Sequence, residues 1–201
     1  MEAEQTQPTI PAKRTHGDER ARKRSRVFIP ILAISLVLFS IVNVYIGLNK
    51  EPLPSEIEGL VVYDNLTNEV VEGPIQYDIE PPPGGPNAGV VQDCGLYRVP
   101  VQNENAVASL ANGAVWIAYD PNLPAEDTDY LRAFAEDQLF VLLAPYPGLE
   151  SPVVLTAWGV QAHVDDTIDP RIPGFIQKYM NGDQAPISNG ACSGGVTLPV
   201  Q

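Results

Sequence analysis

A chain of 201 residues, 44% of them hydrophobic, can bury one core of ordinary size and carry a few extra segments. Its net charge of −13 is divided unevenly: residues 1–26 hold seven Lys/Arg and four Asp/Glu, 27–47 hold none, and 48–201 hold five Lys/Arg against 21 Asp/Glu. A C-terminal part that acidic repels phosphate backbones. This sets nucleic acid aside and leaves a basic partner, a cation or plain solubility as the use of the charge.

Residues 1–26 are polar, charged and free of aromatics, the composition of a disordered tail. Their Arg/Lys cluster suits anionic lipid headgroups. Residues 27–48 read VFIPILAISLVLFSIVNVYIGL, without a charge. At about 1.5 Å per residue this stretch reaches roughly the 30 Å of a bilayer core. Lipid leaves backbone polar groups no outside partner, so the stretch is predicted to be one transmembrane helix. Pro30 falls in its first turn, where a missing N–H costs little, and Tyr45 suits the far interface. Seven cationic residues precede the span, and Lys50 is the near one after it. The positive-inside rule then places the N-terminus in the cytoplasm and the rest outside, at the cell membrane. A cleaved signal peptide is the competing reading, but the apolar run is long and 43–47 (NVYIG) makes a poor cleavage site.

Residues 49–58 form a linker rich in Pro and acid, and the outer domain is predicted over 59–196 with a short tail at 197–201. Residues 60–63 and 75–77 read as short strands, the second ended by the irregular PPPGGP loop. Residues 103–110 can form a helix with Val107 and Leu110 on one face and Gly113 past its end. Residues 114–119, AVWIAY, are the clearest strand. Residues 124–137 read as an amphipathic helix with Pro124 and three acids near its start and Tyr130, Leu131 and Phe134 on its apolar side. Strands follow at 139–143, 153–158 and 160–164, and a last helix at 172–180 carries Phe175, Ile176 and Tyr179. Strands and helices mix without a strict βαβ repeat. The predicted class is α+β, a mainly antiparallel sheet with two or three helices, preceded by one transmembrane helix.

Cys94 and Cys192 both fall in the exported part, where disulfides persist, and two cysteines allow one pairing. A metal or redox pair is the alternative. His163 with Asp165 can bind a divalent cation, although a lone His at a strand end is more often simply hydrogen-bonded. Asp165, Asp166 and Asp169 lack calcium-loop spacing and read as a solvated turn. Ser109 has no neighbouring base, and Gly84-Gly85-Pro86 is not followed by the residues of a phosphate loop. Asn65-Leu66-Thr67 fits a glycosylation sequon. Trp116 and Trp158 read as core or interface residues.

The runs EGPIQY (72–77), PPPGGPN (81–87), CGLYRVPV (94–101), ENAVASLANGAVWIAY (104–119), PYPGL (145–149) and TAWG (156–159) stand in an order that resembles the bacterial domain-of-unknown-function family 3105. The resemblance covers nearly all of 59–196 and implies a membrane anchor followed by this domain. It also implies a cluster of histidines that looks like a metal or catalytic site. Here the matching positions carry Val70, Asn87, Ala108 and Asn112, and the Glu within the cluster is replaced by Ala111. Val, Ala and Asn do not replace imidazole as ligand or proton shuttle. The expectation is therefore a non-enzymatic protein without a cofactor or a metal site, an accessory or structural subunit that partners the bilayer and other membrane-protein subunits. A metal or redox protein using His163, Cys94 or Cys192 is a second expectation, and a small-ligand binder in the cleft left by the histidines a third.

Overall fold

The computed structural model describes residues 35–43, 56–187 and 189–197. The chain divides into two compact units, Met1–Pro52 and Leu53–Gln201. In the first, residues 35–43 are helical (α1), and the Asn43 amide donates to the Phe39 carbonyl at 2.8 Å. Among the described residues no helix is long and apolar enough to cross a membrane. The basic tail, residues 27–34 and 44–48 of the expected span, and linker residues 49–55 lie outside the described residues.

The second unit carries, in chain order, β1 (Leu60–Val62), β2 (Gly95–Leu96), α2 (Asn103–Ala111), β3 (Val115–Tyr119), α3 (Ala125–Ala135), β4 (Val141–Pro145), β5 (Val153–Ala157), β6 (Val160–Val164) and α4 (Arg171–Tyr179). The strands form one sheet in the order β1-β6-β5-β3-β4-β2. The pairs β1–β6, β6–β5 and β5–β3 are antiparallel, while β3–β4 and β4–β2 are parallel. The α+β expectation holds, with a parallel portion at one side that a strictly antiparallel sheet would lack.

Every residue of β3, β4 and β5 is buried, because helices cover both faces. Side-chain alternation sorts the core. Val115, Ile117, Val141, Leu143 and Leu155 face α3 and α4, where Leu131, Phe175 and Ile176 meet them. Trp116, Ala118, Leu142, Ala144 and Val154 face α2 through Val107 and Leu110. Small alanines at 106, 111, 118 and 144 let α2 approach this second face closely. Gly113, at φ 95, takes the left-handed conformation that ends α2, as its position past the helix predicts.

Three expected elements are corrected. Residues 75–77 form no strand: the Ile75 N–H donates to the Glu104 carboxylate at 2.8 Å, so it is taken by a side chain and not by a ladder. The strand expected at 139–143 begins at Val141, which pairs with Val115, and Leu139 is 83% exposed. Tyr130 lies on the open side of α3, half exposed, and the buried face is made by Leu131 and Ala135, with Phe134 and Leu123 packed against it. The expected helix at 172–180 forms as α4, with Phe175, Ile176 and Tyr179 buried.

Candidate functional site

Two groups of side chains invite chemistry, one around α2 and one at the carboxyl ends of the parallel strands, and a separate Ser–His contact lies at β6. The first surrounds α2. Val70 and Asn87 pair in a parallel bridge. The Ala88 N–H reaches the Glu104 carbonyl at 3.2 Å, one helical turn before Ala108. Ala108 and Ala111 follow on the next turn of α2 and Asn112 caps its end, so the positions where the family resemblance implies histidines are drawn toward one flank of this helix.

Val70 stands 65% exposed, and the other four positions serve as scaffold. The Asn87 amide donates to Asn68 Oδ1 at 2.8 Å and to the Gly85 carbonyl, while its oxygen accepts from the Gly89 N–H. Ala108 and Ala111 are buried. The Asn112 amide turns back onto the Ala108 carbonyl at 2.8 Å. The C-terminal segment then closes over this end of the helix: the Ile187 N–H bonds the Ala111 carbonyl, and Gly190 lies so near Asn112 that any side chain there would collide. Ser109, fully buried, directs its hydroxyl at the Gln92 carbonyl at 2.6 Å and lies 3.1 Å from the Asn105 carbonyl. Cys94 and Cys192 form a disulfide that ties the same segment down.

His163 stands exposed on β6, its Nδ1 2.9 Å from the Ser151 hydroxyl. That contact between a serine and an imidazole was invisible in sequence, where the two are twelve residues apart and joined only by the β5–β6 hairpin. Asp165 is exposed beside it. Of the neighbouring acids, Asp166 accepts the Ile168 N–H and Asp169 is forked onto Arg171, whose guanidinium holds the Asp169 carboxyl below its usual range. Among the described residues no group of three or more His, Cys, Asp or Glu is placed to hold a metal ion.

The second group lies at the carboxyl ends of the parallel strands. β2, β4 and β3 run side by side and end near Arg98, at Pro145 and at Tyr119. The chain leaves β2 for α2 on one face and β3 for α3 on the other, so two clefts open along this rim. On the α2 side a cleft of about 450 Å³ is bordered by Glu80, Asn103, Glu104 and Tyr146. Asn103 donates to the Tyr146 oxygen at 3.1 Å, and burial pushes the Tyr146 phenol up. Burial and then the Glu104 charge push up the nearby Tyr77 phenol, which donates to the Pro86 carbonyl. On the α3 side a cleft of about 430 Å³ is bordered by Arg98, Arg132, Asp129, Thr128, Tyr119 and Pro145. Asp129 reaches Arg132 at 3.7 Å. Sequence reasoning missed both arginines. Their one signal was scarcity, since five cations serve 48–201 and two of them border one cleft.

A family model described as protein of unknown function (DUF3105) matches residues 70–194. No curated protein and no solved structure matches the chain.

Proposed function

The chain belongs to the DUF3105 family of proteins of unknown function, and on that footing we propose that it is a non-enzymatic, single-pass membrane protein acting by contact. In this reading the N-terminus is cytoplasmic, 27–48 is the anchor, and the acidic domain is an extracytoplasmic accessory or structural subunit of a membrane-protein complex. The observation that carries it is the use of the α2 flank. Asn87, Ser109 and Asn112 spend their polar groups on backbone carbonyls and neighbouring loops, and Ala108 and Ala111 pack. A site built for chemistry would keep such groups poised and accessible.

The distribution of charge supports the tether, with basic residues before an uncharged run and acid after it. A contact role predicts that a partner covers part of the domain, and Val62, Val90 and Leu139, all at least half open to solvent, can be replaced there without disturbing the core. Photo-crosslinkers placed at these three positions in native membranes test it. A discrete adduct of higher mass from at least one position is expected, and none from any of them contradicts the reading. The rival metal or redox reading predicts metal near one equivalent in protein purified without chelator, which elemental analysis decides. A small-ligand reading draws its own support from the arginine-bordered cleft.

A further inference from the structure

We propose that the cleft between Arg98 and Arg132 is an oxyanion site, taking the phosphate or carboxylate group of a small molecule. The placement comes from topology. Three parallel strands end at this rim, and connections that leave toward opposite faces open a crevice there, where strand and helix termini can surround a ligand without blocking it.

The chemistry comes from the side chains. Arginine presents a planar fork of donors that matches phosphate and carboxylate oxygens in pairs. Arg98 follows β2 and Arg132 lies on α3, so the fold delivers them from two separate elements to one space of about 430 Å³. Pro121, Ala125 and Pro145 give that space apolar walls, which strengthen an ionic contact within it. The other cations of the described domain are committed elsewhere: Arg171 forks onto Asp169, and Lys178 lies over the Tyr179 ring at 5.5 Å. Among the described residues the ion pairs are Arg132–Asp129 and Arg171–Asp169, so Arg98 has no carboxylate partner. Arg132 has only a loose one, since Asp129 makes a single 3.7 Å contact from a side chain 73% exposed. Glu126 and Asp127 already occupy the first turn of α3, so recognition rests on the two guanidinium groups and not on the helix end. In a domain this acidic, two arginines sharing a cleft make the one inviting destination for an anion among the clefts described above.

The test is calorimetric titration of the full chain in detergent with inorganic phosphate and, separately, succinate. Saturable binding of at least one probe is expected. Arg98→Gln, at an exposed position that leaves packing untouched, is expected to weaken it by about tenfold or more. Arg98→Lys should fall between, because it keeps the charge and loses the fork. Asp129→Asn frees Arg132 and should tighten binding by about two- to fivefold. Lys178→Gln should bind as the parent does. The proposal is overturned if neither probe saturates, if Arg98→Gln binds unchanged, or if Lys178→Gln weakens binding as much as Arg98→Gln. None of these outcomes bears on the membrane-anchored contact role, which the crosslinking decides.

Discussion

The backbone N–H of Cys94 donates to the carbonyl of Cys192 at 2.8 Å, beside the disulfide that joins the same two residues. The link closes a loop across 98 positions and brings the C-terminal segment onto the loop before β2. Around it the Asp93 N–H bonds the Val196 carbonyl, the Gln92 amide bonds the same carbonyl, and the Val196 N–H bonds the Val91 carbonyl. This short ladder has little apolar burial of its own, so the covalent link is what holds it against chain entropy.

Removing the bridge with Cys94→Ser and Cys192→Ser together should lower stability by about 2 to 4 kcal/mol. Urea unfolding of the oxidised parent and the double variant checks this. The variant should also lose amide-exchange protection at Val196 first, while Ile117 and Leu143 in the sheet centre keep theirs. Equal midpoints would contradict the role assigned to the bridge.

A second expectation concerns acid. Asp169 accepts from Nε and a terminal nitrogen of Arg171, and a further Arg171 nitrogen holds the Glu58 carbonyl at 3.0 Å, so the pair fastens the start of the domain to α4. The Arg171 hydrogen bonds lower the folded-state pKa of Asp169 from 3.8. A depressed carboxyl contributes stability that is fully present above its unfolded value and is lost as pH falls through the folded one. Stability should therefore drop below about pH 4 with a share that Asp169→Asn removes. At neutral pH that variant should lose about 1 to 2 kcal/mol. Urea midpoints measured between neutral pH and pH 3 decide it, and identical acid profiles for the two proteins would refute the assignment.

The Ser151–His163 contact bears on the proposed lack of catalysis. A serine nucleophile needs its base oriented by a third group and donors for the developing oxyanion. Here the histidine ring is exposed, and its other nitrogen has no hydrogen-bonded carboxylate among the described residues. A fluorophosphonate probe should therefore leave Ser151 unlabelled at concentrations that label an active serine hydrolase fully. Stoichiometric labelling, abolished in His163→Ala, would make this protein an enzyme and end the non-enzymatic reading.

How much of this was legible in sequence follows from what each signal needs. The run AVWIAY announced β3 because a strand covered on both faces must be apolar throughout. α4 was legible because Phe175, Ile176 and Tyr179 recur at helical spacing. β2 was not, because two residues, Gly95 and Leu96, carry no period at all. Residues 75–77 misled because Ile and Tyr favour strands, while the hydrogen-bond partner that decides the matter, Glu104, lies 29 residues away. The flank of α2 was found through the motif resemblance and not through physics. The Arg98–Arg132 cleft escaped both, since it exists only once the α3 crossover lays β4 beside β2 and β3.

The proposed role as an accessory or structural subunit of a membrane-protein complex is tested most directly by purification from native membranes in a mild detergent. A tagged full-length chain should bring down a companion membrane protein in fixed, near-stoichiometric ratio, surviving gel filtration as one complex. A chain that elutes alone as a monomer, with no companion at comparable amount, would contradict the account.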